Sequence, residues 1–341
     1  AGMSRHERSF ALFAEARRAL PDALARTLAV ALPERPSDLA RVVTTGIGAS
    51  EGPARLLAQL LVENGLAARF HAASRFGGDT PHGDLLVVFS QGLSPNVLGA
   101  LRCGERFRHV WLVTGLDAET DATARAKLAP ARAVSARSIV VPGADPPGTL
   151  VRWIGPTTAS LLAFRLAARL LDDRAMHERL ERAPAAYAKG RALGVIAPGT
   201  AVSLVVVDQA VECAYAHRWK LLEGLLLPDP PVWDVLQVAH GPLQSFYERE
   251  MTLLVLERGH GSLLVERLRR VLDPTRHRLW HLATEHADEC AFFEQTGTLD
   301  ATLFASLEAH PRDHFDWPGR DRDAPLYDFG RAPAPDPGGA E

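Results

Sequence analysis

The chain has 341 residues, enough for two domains of ordinary size, with 47% hydrophobic and 23% charged residues. A net charge of −3, with arginine scattered among Asp and Glu, gives no basis for binding nucleic acid or an anionic membrane. Cys103, Cys213 and Cys290 lack CxxC spacing and read as small core residues in a reducing compartment. No apolar run approaches the ~20 residues that span a bilayer, so a cytoplasmic protein is expected. Ala1-Gly2, ahead of Met3, reads as an added leader and is set aside.

Residues 5–31 are helical and amphipathic in pattern, with a break expected near Pro21. A β-α alternation follows. Strand-like runs lie at 41–45, 68–72, 85–89, 109–113 and 138–141, and helix-like runs at 52–63, 95–104 and 121–127. Residues 157–172 form a long apolar helix, and 173–193 read as one charged interdomain helix. The second alternation has strands at 202–207, 232–238, 253–257 and 278–282, with helices at 209–223, 262–271 and 288–308. From Pro311 the chain is rich in Pro, Gly, Asp and Arg and reads as extended or partly disordered. The expected organisation is a helical segment (1–34), a first α/β domain (35–180), a second (181–310) and a tail (311–341).

Two strand-to-helix turns carry the chemistry. The first is Thr44-Thr45-Gly46-Ile47-Gly48-Ala49-Ser50-Glu51-Gly52, and the second is Phe89-Ser90-Gln91-Gly92-Leu93-Ser94-Pro95-Asn96. Each follows a β-branched run and precedes a helix. Adjacent parallel strands would bring Ser50, Ser90, Gln91 and Ser94 to one crevice where backbone N–H groups favour an anion. Neither turn contains Lys or Arg, so the donors are uncharged.

At these residues the chain resembles the sugar isomerase (SIS) family, in the two-domain form found in the isomerase half of glucosamine-6-phosphate synthase. Ile47-Gly48-Ala49-Ser50 stands for the family's C-G-T-S turn, and Ser90-Gln91-Gly92-Leu93-Ser94 for its S-Q-S-G-E-T turn, one serine short. The family pattern D-Q…K-L-K-E…H-G-P appears as Asp208-Gln209, Lys220-Leu221-Leu222-Glu223 and His240-Gly241-Pro242, with one residue inserted. The resemblance spans most of 35–310. It implies two SIS-type, flavodoxin-like, three-layer αβα domains with parallel sheets, a homodimer, a sugar phosphate as small-molecule partner and no cofactor. It implies that Gly48, Ser50, Glu51, Ser90, Gln91, Ser94 and Thr157 hold the phosphosugar. Glu223 stands for the base that moves a proton between C1 and C2, and His240 for the ring-opening histidine lent by the neighbouring subunit.

The departures matter equally. The E…S-T-K motif is replaced by Trp153-Ile154-Gly155-Pro156-Thr157-Thr158, and the family's C-terminal lysine has no counterpart, since 331–341 contains none. These residues hold no segment that resembles the family's glutaminase domain, so glutamine-dependent amidotransfer is not expected of them. An isomerase, or a related deaminase or lyase, therefore stands beside a non-catalytic phosphosugar sensor or scaffold, and beside an enzyme on this scaffold acting on an unphosphorylated substrate.

Each candidate has a plainer reading. Glu223 would act as a base if an apolar pocket raised its pKa, or be a solvated helix-end carboxylate paired with Lys220. Glu51 would line the pocket, or only complement the helix dipole. Gly48-Ala49-Ser50-Glu51-Gly52 also fits G-x-S-x-G, but a hydrolase elbow follows several strands and needs an oxyanion loop that is missing. Gly46 and Gly48 suggest a dinucleotide loop, but the third glycine falls one residue late. No histidine pair has trusted metal spacing. His281 and His286 are five apart, and His71, His82, His109, His217 and His277 read with them as surface residues, so no metal is expected.

Overall fold

A computed structural model describes residues 3–77, 82–119, 121–143, 145 and 148–327. Helix α1 (Arg5–Leu28) starts on a capping box. The Ser4 hydroxyl accepts from the Glu7 N–H, while the Ser4 N–H donates to the Glu7 carboxylate at 2.7 Å. The helix runs unbroken through Pro21, contrary to the expected interruption. One missing backbone bond and the ring clash cost ~3 kcal/mol. The buried face of Phe13, Leu20 and Leu24, at ~1.5–3 kcal/mol per side chain, outweighs that cost.

The first sheet comprises β1 (Arg41–Gly46), β2 (Ala67–Phe70), β3 (Gly83–Phe89), β4 (Phe107–Thr114) and β5 (Arg137–Val140). All pair in parallel in the order β2-β1-β3-β4-β5, the flavodoxin-like doubly wound arrangement. Its crossovers carry α2 (Glu51–Glu63), α3 (Leu98–Arg102), α4 (Ala122–Lys127) and α5 (Ala129–Ala133). Helix α6 (Ile154–Leu171) follows and is buried around almost its whole circumference, with the hydroxyls of Thr157, Thr158 and Ser160 bonded back to carbonyls one turn earlier.

The charged stretch 173–193 is two short helices, α7 (Arg174–Leu180) and α8 (Ala183–Ala188), not one. Pro184 lacks the N–H that a continuous helix would need and instead opens α8. The second sheet comprises β6 (Ala201–Val207), β7 (Val232–Asp234), β8 (Met251–Glu257) and β9 (His277–Leu282), parallel in the order β7-β6-β8-β9. This repeats the first four strand positions of the first sheet without the fifth. Its helices are α9 (Glu212–Leu225), α10 (Pro242–Phe246), α11 (Leu263–Val271) and α12 (Cys290–Ala309). The expected strand 232–238 stops at Asp234 and turns into a 3-10 turn, Gln237–Ala239.

One continuous core joins both sheets. Leu85 and Val87 of β3, Leu161 and Phe164 of α6, Leu204 of β6 and Phe293 of α12 belong to the same buried cluster. Three of the supposed surface histidines, His71, His217 and His277, are buried. His217 stacks on Phe292 at 5.0 Å, and burial pushes its pKa down to about 3, so it is a neutral core side chain.

The tail also departs from expectation. His314 is fully buried, donates to the Gly224 carbonyl at 2.8 Å and packs edge-on against Phe13. This anchor holds the chain to α13 (Ala324–Tyr327). Residues 328–341, which contain the lysine-free segment noted above, lie outside the described residues.

Helices α2 and α9 cross closely at Gly52. A Cβ there would stand 2.7 Å from the Ala216 Cα and 2.8 Å from its nitrogen, so neither backbone has room to yield. Gly52→Ala is expected to destabilise the protein by about 1–3 kcal/mol through overpacking, read as a lower denaturant midpoint with unchanged slope. Wild-type stability in this variant would show that the crossing is looser than drawn.

Candidate functional site

The two turns leave neighbouring strands, because Gly46 of β1 registers against Phe89 of β3. In the first, a Cβ at Gly46 would lie 2.2 Å from the Ser50 carbonyl oxygen, so only glycine permits the chain to fold back so tightly. Gly48 has φ of +58°, in the left-handed region glycine favours. Gly48–Ser50 forms a 3-10 turn that delivers Ser50 to the start of α2, where its hydroxyl makes no capping bond. Ser50 and Ser90 are both buried.

The second turn is tied to its surroundings. The Ser90 N–H donates to Val113, and the Gln91 carbonyl accepts from the Gly115 N–H at 3.0 Å and the Thr114 hydroxyl at 3.2 Å. The Gln91 side chain lies where a Cβ on Gly155 would be, and its buried Nε2 has no hydrogen-bond partner among the described residues. Ser94 precedes the 3-10 turn Pro95–Val97.

At the start of α6, the Asp145 carboxylate accepts from the N–H groups of Trp153, Ile154 and Gly155 at 2.7, 2.9 and 2.8 Å. Thr157, one turn in, donates to the Trp153 carbonyl and accepts from Lys220 Nζ at 2.8 Å. Lys220 is buried and also bonds both oxygens of Asp300, at 2.7 and 2.8 Å, while the Tyr187 hydroxyl donates to Asp300 at 2.9 Å. Burial raises the Asp300 pKa, with Lys220 opposing it. Lys220 is therefore turned inward, and the alternative of a Lys220–Glu223 surface pair does not form.

Glu223 occupies the last turn of α9 and is half-buried. Burial pushes its pKa up to about 8, opposed by Arg152 and reinforced by Asp145. The same carboxyl helps to raise the Tyr327 hydroxyl, whose shift comes first from burial and then from Asp323. Helix α9 touches the Gly48–Ser50 turn, and the Trp219 Nε1–H donates to Glu51 at 3.1 Å.

A cavity of about 520 Å³ lies elsewhere, at the far end of α6, and a cavity of about 440 Å³ opens on the first turn. The latter is lined by Gly46, Gly48, Glu51, Arg55, Asn96 and Trp219, among others, with Leu326 of α13 at its edge. Of the sequence candidates, Gly48 and Glu51 line it. Ser50, Ser90, Gln91, Ser94, Thr157 and Glu223 are not among the residues that line it. Glu51 is held by Arg55 at 2.7 Å, and Arg55 in turn lies over the Phe70 and Tyr215 rings. His240 is exposed beyond β7, and its side chain makes no bond to this region among the described residues.

Sequence reasoning missed Arg55, Asn96, Trp219, Asp145 and Arg152. Arg55 was readable as the i+4 partner of Glu51. Asp145 sits in a Pro-rich segment with no pattern of its own.

This architecture is that of solved phosphosugar proteins. A tagatose-6-phosphate ketose/aldose isomerase from Escherichia coli superposes with a TM-score of 0.68 at 15% identity, over 90% of this chain and 96% of that one. A glucosamine-6-phosphate deaminase from Thermotoga maritima gives 0.67 at 13% identity, over 89% and 96%. The C-terminal domain of glucosamine-fructose-6-phosphate aminotransferase from Francisella tularensis gives 0.64 at 12%, over 88% and 97%. No protein-family sequence model matches the chain, and no curated sequence relative was found. The chain thus shares the two-sheet SIS fold at identities that establish the fold alone. No helix among the described residues is long and apolar enough to cross a membrane.

The Glu223 environment makes a stability prediction. Its folded pKa, about 8, lies above the ordinary 4.5. Its contribution is fully present below pH 4.5 and is lost as pH rises through about 8. Between pH 5 and 9 the wild type should therefore lose more stability than Glu223→Gln, by on the order of a few kcal/mol. Parallel melting curves would dismiss the desolvated carboxyl.

Proposed function

We propose that the chain binds a sugar phosphate at the two turns and interconverts its aldose and ketose forms, or performs a related deamination or lyase step. Glu223 is the proton carrier. As carboxylate it takes the proton from C2 of the open-chain aldose, the electron pair forms the C1=C2 bond, and the C1 carbonyl oxygen takes up a proton to give the enediol. The Glu223 carboxyl, which exchanges part of its proton with solvent while the enediol is held, returns a proton to C1 as the C2 hydroxyl gives up its own and the ketose carbonyl forms there. No electrons leave the substrate, so no redox group is required. The observation that carries this reading is the desolvated Glu223 carboxyl, on a helix that touches the Gly48–Ser50 turn. A carboxyl tuned to about 8 is matched to proton transfer near neutral pH.

In this reading the exposed His240 works across a homodimer. Gly241 at φ +121° and Pro242 opening α10 present it outward, beside the exposed Leu236 and Tyr247. A second reading, binding without turnover, has its own support. Asp145 already fills the α6 N-terminus, and Lys220 and Thr157 are locked to each other. An unphosphorylated substrate is a third.

Hexose 6-phosphates, with and without amino groups, should raise the melting temperature of both wild type and Glu223→Gln. Only the wild type should exchange the C2 proton in deuterated water, with activity rising through about pH 8. Binding without exchange in the wild type selects the sensor. Stabilisation by free sugars alone selects the third reading. Mixing inactive Glu223→Gln and His240→Asn chains should restore about a quarter of the sites if the histidine crosses the dimer. No restoration, or a monomer by light scattering, removes His240 from the mechanism.

A further inference from the structure

The loop from β9 to α12 carries His286 and Asp288, and the first turns of α12 carry Cys290 and Glu294. Cys290 and Glu294 are four apart on one helix and so share a face. Ligand atoms of His286, Asp288 and Cys290 all lie within 4.8 Å of one another. Glu294 Oε2 lies 4.0 Å from His286 Nε2. That Nε2 is itself buried with no hydrogen-bond partner among the described residues. A buried ring nitrogen left unpaired beside a thiol and two carboxylates has the surroundings of a ligand waiting for a cation.

We propose that His286, Asp288, Cys290 and Glu294 form a structural zinc site. One sulfur, one imidazole and two carboxylates suit a borderline-soft, four-coordinate ion, whereas calcium and magnesium require all-oxygen shells. The charge also balances. A thiolate and two carboxylates around a divalent ion leave one negative charge, and Arg182 already pairs with Asp288. The ligands are held by bonds to one another and to their neighbours, and the Cys290 thiol donates to the Arg179 carbonyl at 3.2 Å. Asp288 accepts from the Cys290 N–H at 3.0 Å, and Glu294 accepts from the Glu285 N–H at 3.2 Å. Arg258 donates to the Ala287 carbonyl at 2.9 Å, so the loop is fastened to the end of β8 as well. Zinc there would join the carboxyl edge of the second sheet to α12 and, through Arg182, to the α7–α8 corner. Single-sequence spacing conceals the site because its only histidine has no histidine partner.

The test uses the full chain stripped with chelator and dialysed. Cobalt(II) is expected to bind at about one equivalent and give a near-ultraviolet thiolate charge-transfer band that zinc then abolishes. Cys290→Ser should lose that band while Cys213→Ser keeps it. His286→Gln and Glu294→Gln, both at partly exposed positions, should each weaken zinc binding by about tenfold or more. Zinc should raise the melting temperature of the wild type and not of Cys290→Ser. Absence of stoichiometric cobalt binding, or a band that survives Cys290→Ser, overturns the site.

Discussion

The buried Lys220–Asp300 pair is the contact on which the geometry of this molecule turns. It lies where α6, α8, α9 and α12 meet, with Thr157 and Tyr187 satisfying the remaining donors and acceptors. An ion pair so enclosed gives little net stability over an apolar replacement, yet losing one partner costs ~3–5 kcal/mol because the other charge is stranded. The pair thus specifies rather than strengthens. It fixes the rotation of α9, which sets Lys220 inward and leaves Glu223, three residues on, near Arg152 and Asp145. The desolvated carboxyl and the satisfied ammonium are two consequences of one helix orientation.

Apart from 232–238, the strands were legible to within about two residues because parallel β-strands buried on both faces must be continuous apolar runs. Val202–Val207 and Leu85–Phe89 admit no helical reading. The first glycine turn was legible for a similar reason, since Gly46 has no room for a Cβ and Gly48 sits in the left-handed region. Boundaries were lost where a local preference was overruled from a distance. Pro21 should stop a helix, but the apolar face of α1 is held by elements far along the chain. The partner of Lys220 was invisible because Asp300 lies 80 residues away, whereas Glu223 at i+3 was the obvious local choice. His314 was hidden in a composition that otherwise reads as tail.

The two sheets make opposite use of one position. In the first, the carboxyl ends of β1 and β2, with Asn96 of the loop after β3, line an accessible cavity. In the second, the corresponding place beside β6 is filled from within. Glu257, at the end of β8, is buried and accepts from the Ser262 N–H at 2.6 Å and from His281 at 2.5 Å. The loop's own carboxylate satisfies the donors that a ligand would otherwise take.

The docking of His314 has a consequence for the chain as a polymer. Arg5 pairs with Asp316 at 2.8 Å, and the His314 N–H donates to the Ser9 hydroxyl. The beginning of α1 and the stretch after α12 thus lie side by side, and the backbone traces a nearly closed ring. Cyclising it would need only a short bridge between those stretches, and fresh ends could then be cut in any surface loop, with the order of the two sheets along the gene reversed and their arrangement in space retained.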